Sequence, residues 1–174
     1  MGTRSGEQYL RAIAPALASV HRATGARLTI IGDPAAPIPV ELRAFTDRRP
    51  WSLDVAHTTL ADFDVGIMPL LDTPYERGKC AYKLLEYGAS DLPSVASPVG
   101  ANRPIIQAAS ALGPALSEWQ DALIEMLAAT DSRREAWGRR LGDTVRADYA
   151  FSTWLPTWHA AVFGCAAPSP PVRS

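Results

Sequence analysis

The chain has two lysines against fifteen arginines, and both lysines, Lys79 and Lys83, fall in one short stretch with Glu76 and Glu86. Four residues apart, Lys79 and Lys83 share a face wherever the chain is helical, and paired ammonium groups suit a diphosphate as point charges. The plainer alternative is a solvated helix start with a Lys83–Glu86 surface pair. Two glycine-bearing loops offer a second kind of anion site. Gly2, Arg4 and Gly6 lead into one helical pattern, and Gly100, Asn102 and Arg103 lead into another. Glycine lets a backbone N–H approach an anion closely, and a helix start adds about half a positive charge. Either loop is equally compatible with a simple turn.

Other chemistries find little support. Gly78-Lys79 is followed by Cys80 rather than Ser or Thr, so no phosphate loop of the Walker type is present, and no G-x-G-x-x-G occurs. His21, His57 and His159 have no serine or carboxylate constellation that sequence pairs with them, and they read as structural. Cys80 and Cys165 cannot build a disulfide framework, and no Cys/His cluster has zinc spacing. Cys80 is expected to be a small buried group. Seventeen basic and eighteen acidic residues leave a net charge of −1, which removes the electrostatic case for nucleic acid or anionic lipid as main partner. Apolar runs fall well short of the ~18 residues of a membrane span, and no signal-like segment follows Met1. A cytoplasmic location is expected.

These residues need elements to position them. A chain of 174 residues can bury about 70% of its surface, enough for one core. A helix from the Ser5/Gln8 capping-box spacing to Gly25 opens the chain, with Pro15 inside it. Short apolar runs follow at 27–32, stopping at a glycine, at 64–70 and at 93–97, and read as buried strands. A further strand is expected at Val40–Phe45, and helices from Ser52 to Leu60, over 81–89, after Ser117/Gln120, after Ser132/Glu135 and from Ser152. Trp119, Trp137, Phe63 and Tyr149 have core spacing. Trp51 suits base stacking or, more plainly, packing. Strands alternating with helices imply an α/β, Rossmann-like parallel sheet flanked by helices. The opening strand of such a unit is truncated or absent, so one domain is expected over 1–163, followed by a disordered tail at 164–174.

The segment from Asp64 to Gly100 (DVGIMPLLDTPYERGKCAYKLLEYGASDLPSVASPVG) resembles the donor-binding, C-terminal half of family-4 GT-B glycosyltransferases. The likeness runs through the strand ending at Pro69, the helix opening Lys83-Leu84-Leu85-Glu86-Tyr87, the Leu92-Pro93 turn, and the strand before Pro98-Val99-Gly100. Fainter likeness covers residues 2 to about 163. The resemblance implies a retaining transferase half that holds a nucleotide-diphosphate sugar, with no metal or other cofactor. The family pattern has two glutamates; Glu86 matches the second, which takes the ribose hydroxyls in a fork. The first, which contacts the sugar, falls on Gly78, and Glu76 is the nearest substitute.

On this resemblance Lys83 and Glu76 are the candidate catalytic residues. Donor binding falls to Glu86, Lys79, Arg4, Gly100, Ala101 and Asn102. The expected partners are the nucleotide sugar, a sugar or lipid-linked acceptor, and a separate N-terminal GT-B half, onto which Trp154, Trp158 and Phe163 of the last helix would pack. A non-catalytic nucleotide-sugar binding module and half of a sugar-nucleotide epimerase are the alternatives.

Overall fold

The computed structural model describes residues 6–52 and 59–164. Arg4, His57 and Cys165 lie outside them. Helix α1 (Glu7–Thr24) buries Tyr9, Ile13, Ala14, Leu17 and Val20 as one stripe, with Pro15 on its exposed side. It ends where Gly25 turns left-handed and returns its N–H to the His21 carbonyl at 2.8 Å. His21 has a structural role: its Nδ1 bonds the Ala26 carbonyl and its ring stacks on Phe45.

Strand β1 (Leu28–Gly32) pairs in parallel with β2 (Thr46–Pro50), and β3 (Gly66–Met68) pairs in parallel with β4 (Ser94–Ala96). The fold is therefore mixed α/β, with short parallel sheets flanked by helices. The expected sheet exists as two separate two-stranded ladders. Val40–Phe45 is a 3-10 turn and not a strand. Leu42 and Phe45, three apart, both point into the core from that turn, a spacing that an extended segment would split between two faces. The strand begins one residue later and is polar, as a sheet edge requires: Arg27 forks onto Asp47, and Pro50 closes it.

A short helix α2 (Pro74–Arg77), then α3 (Tyr82–Ala89), α4 (Asn102–Ala109), α5 (Trp119–Ala128), α6 (Asp131–Asp148) and α7 (Phe151–Phe163) complete the order. The Glu118 carboxylate accepts from the Ala115 N–H at a 3-10 turn (Leu116–Glu118) leading into α5, and Thr130 caps α6; these caps lie two residues ahead of the expected serines, although α5 itself begins only at Trp119. Phe151 begins α7, one residue before the expected Ser152.

Alternation along β3 and β4 divides the core in two. Met68 and Ala96 face Leu84, Tyr87, Ile105 and Leu141, whereas Ile67 and Val95 face Ile13, Leu17, Trp119 and Met126 from α1 and α5. Helix α6 passes so close to the turn after α3 that a Cβ at Gly138 would overlap the Asp91 carbonyl. Trp119 and Trp137 are core residues as expected, but Tyr149 and Cys80 are exposed. Cys80 sits in the connection before α3. Trp154, Trp158 and Phe163 are exposed along α7. Among the described residues no helix is long and apolar enough to cross a membrane.

Candidate active site

Within each ladder the parallel strands exit at one end, and residues at the exits of β1 and β3 share one cavity with Gly6 and Tyr9 of the first turn of α1. A cavity of about 140 Å³ opens there between β1 and β3, bordered by Gly6, Tyr9, Arg48, Lys79, Lys83 and Tyr87. Lys79, in the connection before α3, and Lys83, on α3, border the same space although no one helix carries both.

A short polar chain fixes one of them. The Lys79 ammonium donates to the Tyr9 hydroxyl at 2.7 Å and lies over both the Tyr9 and Tyr75 rings. Tyr9 in turn donates to Glu76 Oε1 at 2.6 Å, and the Thr73 hydroxyl donates to Oε2. Glu76 is 3% exposed. Thr73 first and Tyr9 second hold its carboxyl below the ordinary 4.5, and the Lys79 charge adds to them against the cost of burial. Glu76 is accordingly an ionised carboxylate with both oxygens engaged. Sequence reading missed Tyr9, although it is the one polar-tipped residue in the apolar stripe of α1.

Lys83 is half-buried on α3. Burial is the main cause that pushes its ammonium below the usual range, and the Lys79 charge adds to it, while Glu86 opposes. Glu86 lies one helical turn beyond Tyr82 and is hydrogen-bonded with its hydroxyl; the Glu86 charge is the chief reason the Tyr82 pKa is raised. Glu86 neighbours Lys83 and Tyr82 and is not among the residues bordering the cavity. Tyr87 is buried and donates to the Ile67 carbonyl at 3.1 Å; burial, with Glu86 second, drives its pKa upward.

The loop after β4 lies at the same end of the sheet. Gly100 has φ of 53°, and a Cβ there would overlap the Arg77 carbonyl, so this glycine is required by the close passage of α2. Ala101 is half-buried and Asn102 is buried, its side-chain amide donating to the Ser97 carbonyl at 3.0 Å. Ser97 Oγ accepts from the Leu70 N–H at 3.0 Å, tying the exits of β3 and β4 together. The N–H groups of Asn102 and Arg103 turn back to the Val99 and Gly100 carbonyls.

Arg48 was not singled out from sequence. It reaches from β2 to the carbonyls of Pro34 and Ala36, shaping the loop that follows β1. Trp51, at the exit of β2, is exposed. Among the described residues no group of three or more His, Cys, Asp or Glu side chains is placed to hold a metal ion.

Residues 4–129 match the family model described as Glycosyl transferases group 1. The match takes in α1 through α5 and all the candidate residues above. No curated protein and no solved structure matches the chain.

Proposed function

The chain belongs to the group 1 glycosyltransferases, and from that membership we propose that it is the donor-binding half of a retaining GT-B enzyme, taking a nucleotide-diphosphate sugar. The observation that carries this reading is the placement of Lys79 and Lys83 on one cavity at the carboxyl end of the strands. Two neighbouring ammonium groups, one of them partly desolvated, repel each other until an anion arrives, and a diphosphate relieves that repulsion. In this reading Lys83 stabilises the charge developing on the leaving diphosphate, and Lys79 holds the ground state. The Gly100–Asn102 segment lends backbone dipoles, and Arg4 adds a cation from the opening loop. Glu86 takes the ribose hydroxyls from the far side of Lys83. Glu76, with both oxygens engaged, acts through Tyr9 to position Lys79. The positive charge comes from side chains and amides and needs no metal.

The acceptor, a sugar or lipid-linked sugar, is held by a separate N-terminal half in the cytoplasm, against the apolar side of α7. A second reading, a nucleotide-sugar binding module without turnover, is favoured by Gly78 at the position where the resemblance expects the sugar-contacting glutamate. Calorimetry with UDP and GDP on the wild type and on Lys83→Ala tests the donor site. A charged hydrogen bond contributes about 1.5–3 kcal/mol, so affinity should fall at least tenfold. Equal affinities would remove Lys83 from the site. Donor hydrolysis on mixing with the N-terminal half separates the transferase from the binding module.

A further inference from the structure

The two lysines on the cavity differ in what holds them. Lys79 is committed: its ammonium donates to the Tyr9 hydroxyl at 2.7 Å and lies 4.3 Å and 5.2 Å from the centres of the Tyr9 and Tyr75 rings. One of its three N–H groups is spent on Tyr9, which leaves two for an anion. Attack by Lys79 on a ligand would mean giving up the hydrogen bond and both ring contacts. Lys83 is the reverse case. It is half-buried on α3 and borders the same space, yet among the described residues it has no hydrogen-bond or salt-bridge partner.

The surroundings of Lys83 do little to hold its charge. Leu28, Ile30 and Ile67 line the cavity, and its other polar groups are engaged elsewhere. Tyr9 donates to Glu76, Tyr87 donates to the Ile67 carbonyl, and Asp33 accepts from the Ala35 N–H. Arg48, a second cation on the same wall, is turned to the carbonyls of Pro34 and Ala36. Burial first and the Lys79 charge second favour the uncharged amine at Lys83, and Glu86 opposes them. The amine is a nucleophile and the ammonium is not. Apolar surroundings and a neighbouring cation are the two arrangements that make a lysine reactive, and Lys83 has both.

We propose that Lys83 is a carbonyl-reactive lysine and that the cavity takes an aldehyde bearing a phosphate ester, with the phosphate on Lys79 and the carbonyl carbon on Lys83 Nζ. The lone pair of the uncharged amine attacks the carbonyl carbon, and one proton passes from nitrogen to oxygen to give the carbinolamine. That oxygen then leaves as water with the second amine hydrogen. A C=N bond has replaced the C=O bond, and nothing is oxidised or reduced. The step is reversible and needs no further reactant. Lys83 needs no nucleotide in the cavity to react, so this chemistry stands apart from the donor reading.

The probe is pyridoxal 5′-phosphate, with phosphate-free pyridoxal as its control, on the full chain near neutral pH. Borohydride adds hydride to the imine carbon and fixes the adduct as a secondary amine. Peptide mass spectrometry then reads which lysine carries it, and with two lysines in the chain the assignment is direct. Lys83 should carry at least about ten times the label of Lys79. Pyridoxal should label Lys83 about tenfold less, the scale of one charged hydrogen bond. Lys83→Arg keeps a cation on the cavity and should lose the trapped adduct, whereas Lys79→Arg should retain it. The wild-type map decides the matter even if either variant folds poorly. Label shared evenly by the two lysines, label confined to Lys79 or to the α-amine, or no trapped adduct at millimolar probe would each overturn the proposal. Equal labelling by pyridoxal would overturn the phosphate seat.

Discussion

Lys79 and Tyr9, seventy residues apart, meet through a 2.7 Å hydrogen bond from ammonium to hydroxyl, with the ammonium 4.3 Å above the centre of the same ring. The hydroxyl in turn donates a hydrogen bond to Glu76 Oε1, so the three groups order one another and link the first turn of α1 to the approach to α3. Tyr9→Phe deletes donor and acceptor together while leaving the ring in the core. We expect a lower melting temperature and, through a loosened Lys79, UDP affinity weakened by a factor of about three to ten, the scale of one net hydrogen bond of about 0.5–1.5 kcal/mol. Thermal unfolding and calorimetry on the same preparation check it. A variant with wild-type melting temperature and affinity would refute the linkage.

Acid should attack the same network. The Glu76 carboxyl is held below 4.5 in the folded chain, so the unfolded chain binds the proton more readily. The stabilisation is therefore present above 4.5 and is lost as pH falls through the lower, folded-state value. Glu76→Gln keeps an acceptor without the charge and should flatten that acid limb in urea titrations between pH 5 and about 3. An acid limb as steep as in the wild type would assign the acid sensitivity to other carboxylates.

Lys83 behaves in the opposite sense. Its pKa is pushed below 10.5, so the unfolded chain binds more protons just below that value and the stability of the folded chain rises with pH there. Lys83→Met, close to it in volume, should raise stability near neutral pH and abolish the alkaline rise, while weakening UDP binding about tenfold. A bound anion favours the charged form, so wild-type binding just below pH 10.5 should take up protons. Calorimetry in buffers of different ionisation enthalpy measures that uptake.

Gly138 separates propensity from packing. Alanine in a helix interior ordinarily gains up to about 1 kcal/mol over glycine. At Gly138 the added Cβ would meet the Asp91 carbonyl, and backbone has little room to yield. Gly138→Ala should therefore destabilise by about 1–3 kcal/mol in urea unfolding. Gly6→Ala meets nothing within 4 Å and should stay within about 1 kcal/mol, the scale of a helix-cap preference.

Much of the framework was legible because it is local. The apolar stripe of α1, the strands β1, β3 and β4, and the run from Tyr82 to Ala89 each follow from spacing within a few residues. Val40–Phe45 misled because its apolar Val40 and Leu42 alternate with charged Glu41 and Arg43, a pattern that suits a strand as well as a short turn. The strand that follows it, β2, is polar because it lies at an edge, so hydrophobicity could not reveal it. The lysine pair was visible as a four-residue spacing. The engagement of Glu76 was not, since its partner Tyr9 is 67 positions away in the chain. That Gly100 also serves close packing was not visible, because it is set by where Arg77 falls in space.

The contact of Gly100 with the Arg77 backbone makes that residue a keystone. Any side chain at 100 would lever α2 outward, carry Glu76 with it and slacken its grip on Tyr9. A single methyl group at position 100 would then loosen the footing of Lys79, so the loop after β4 and that ammonium rise or fall together.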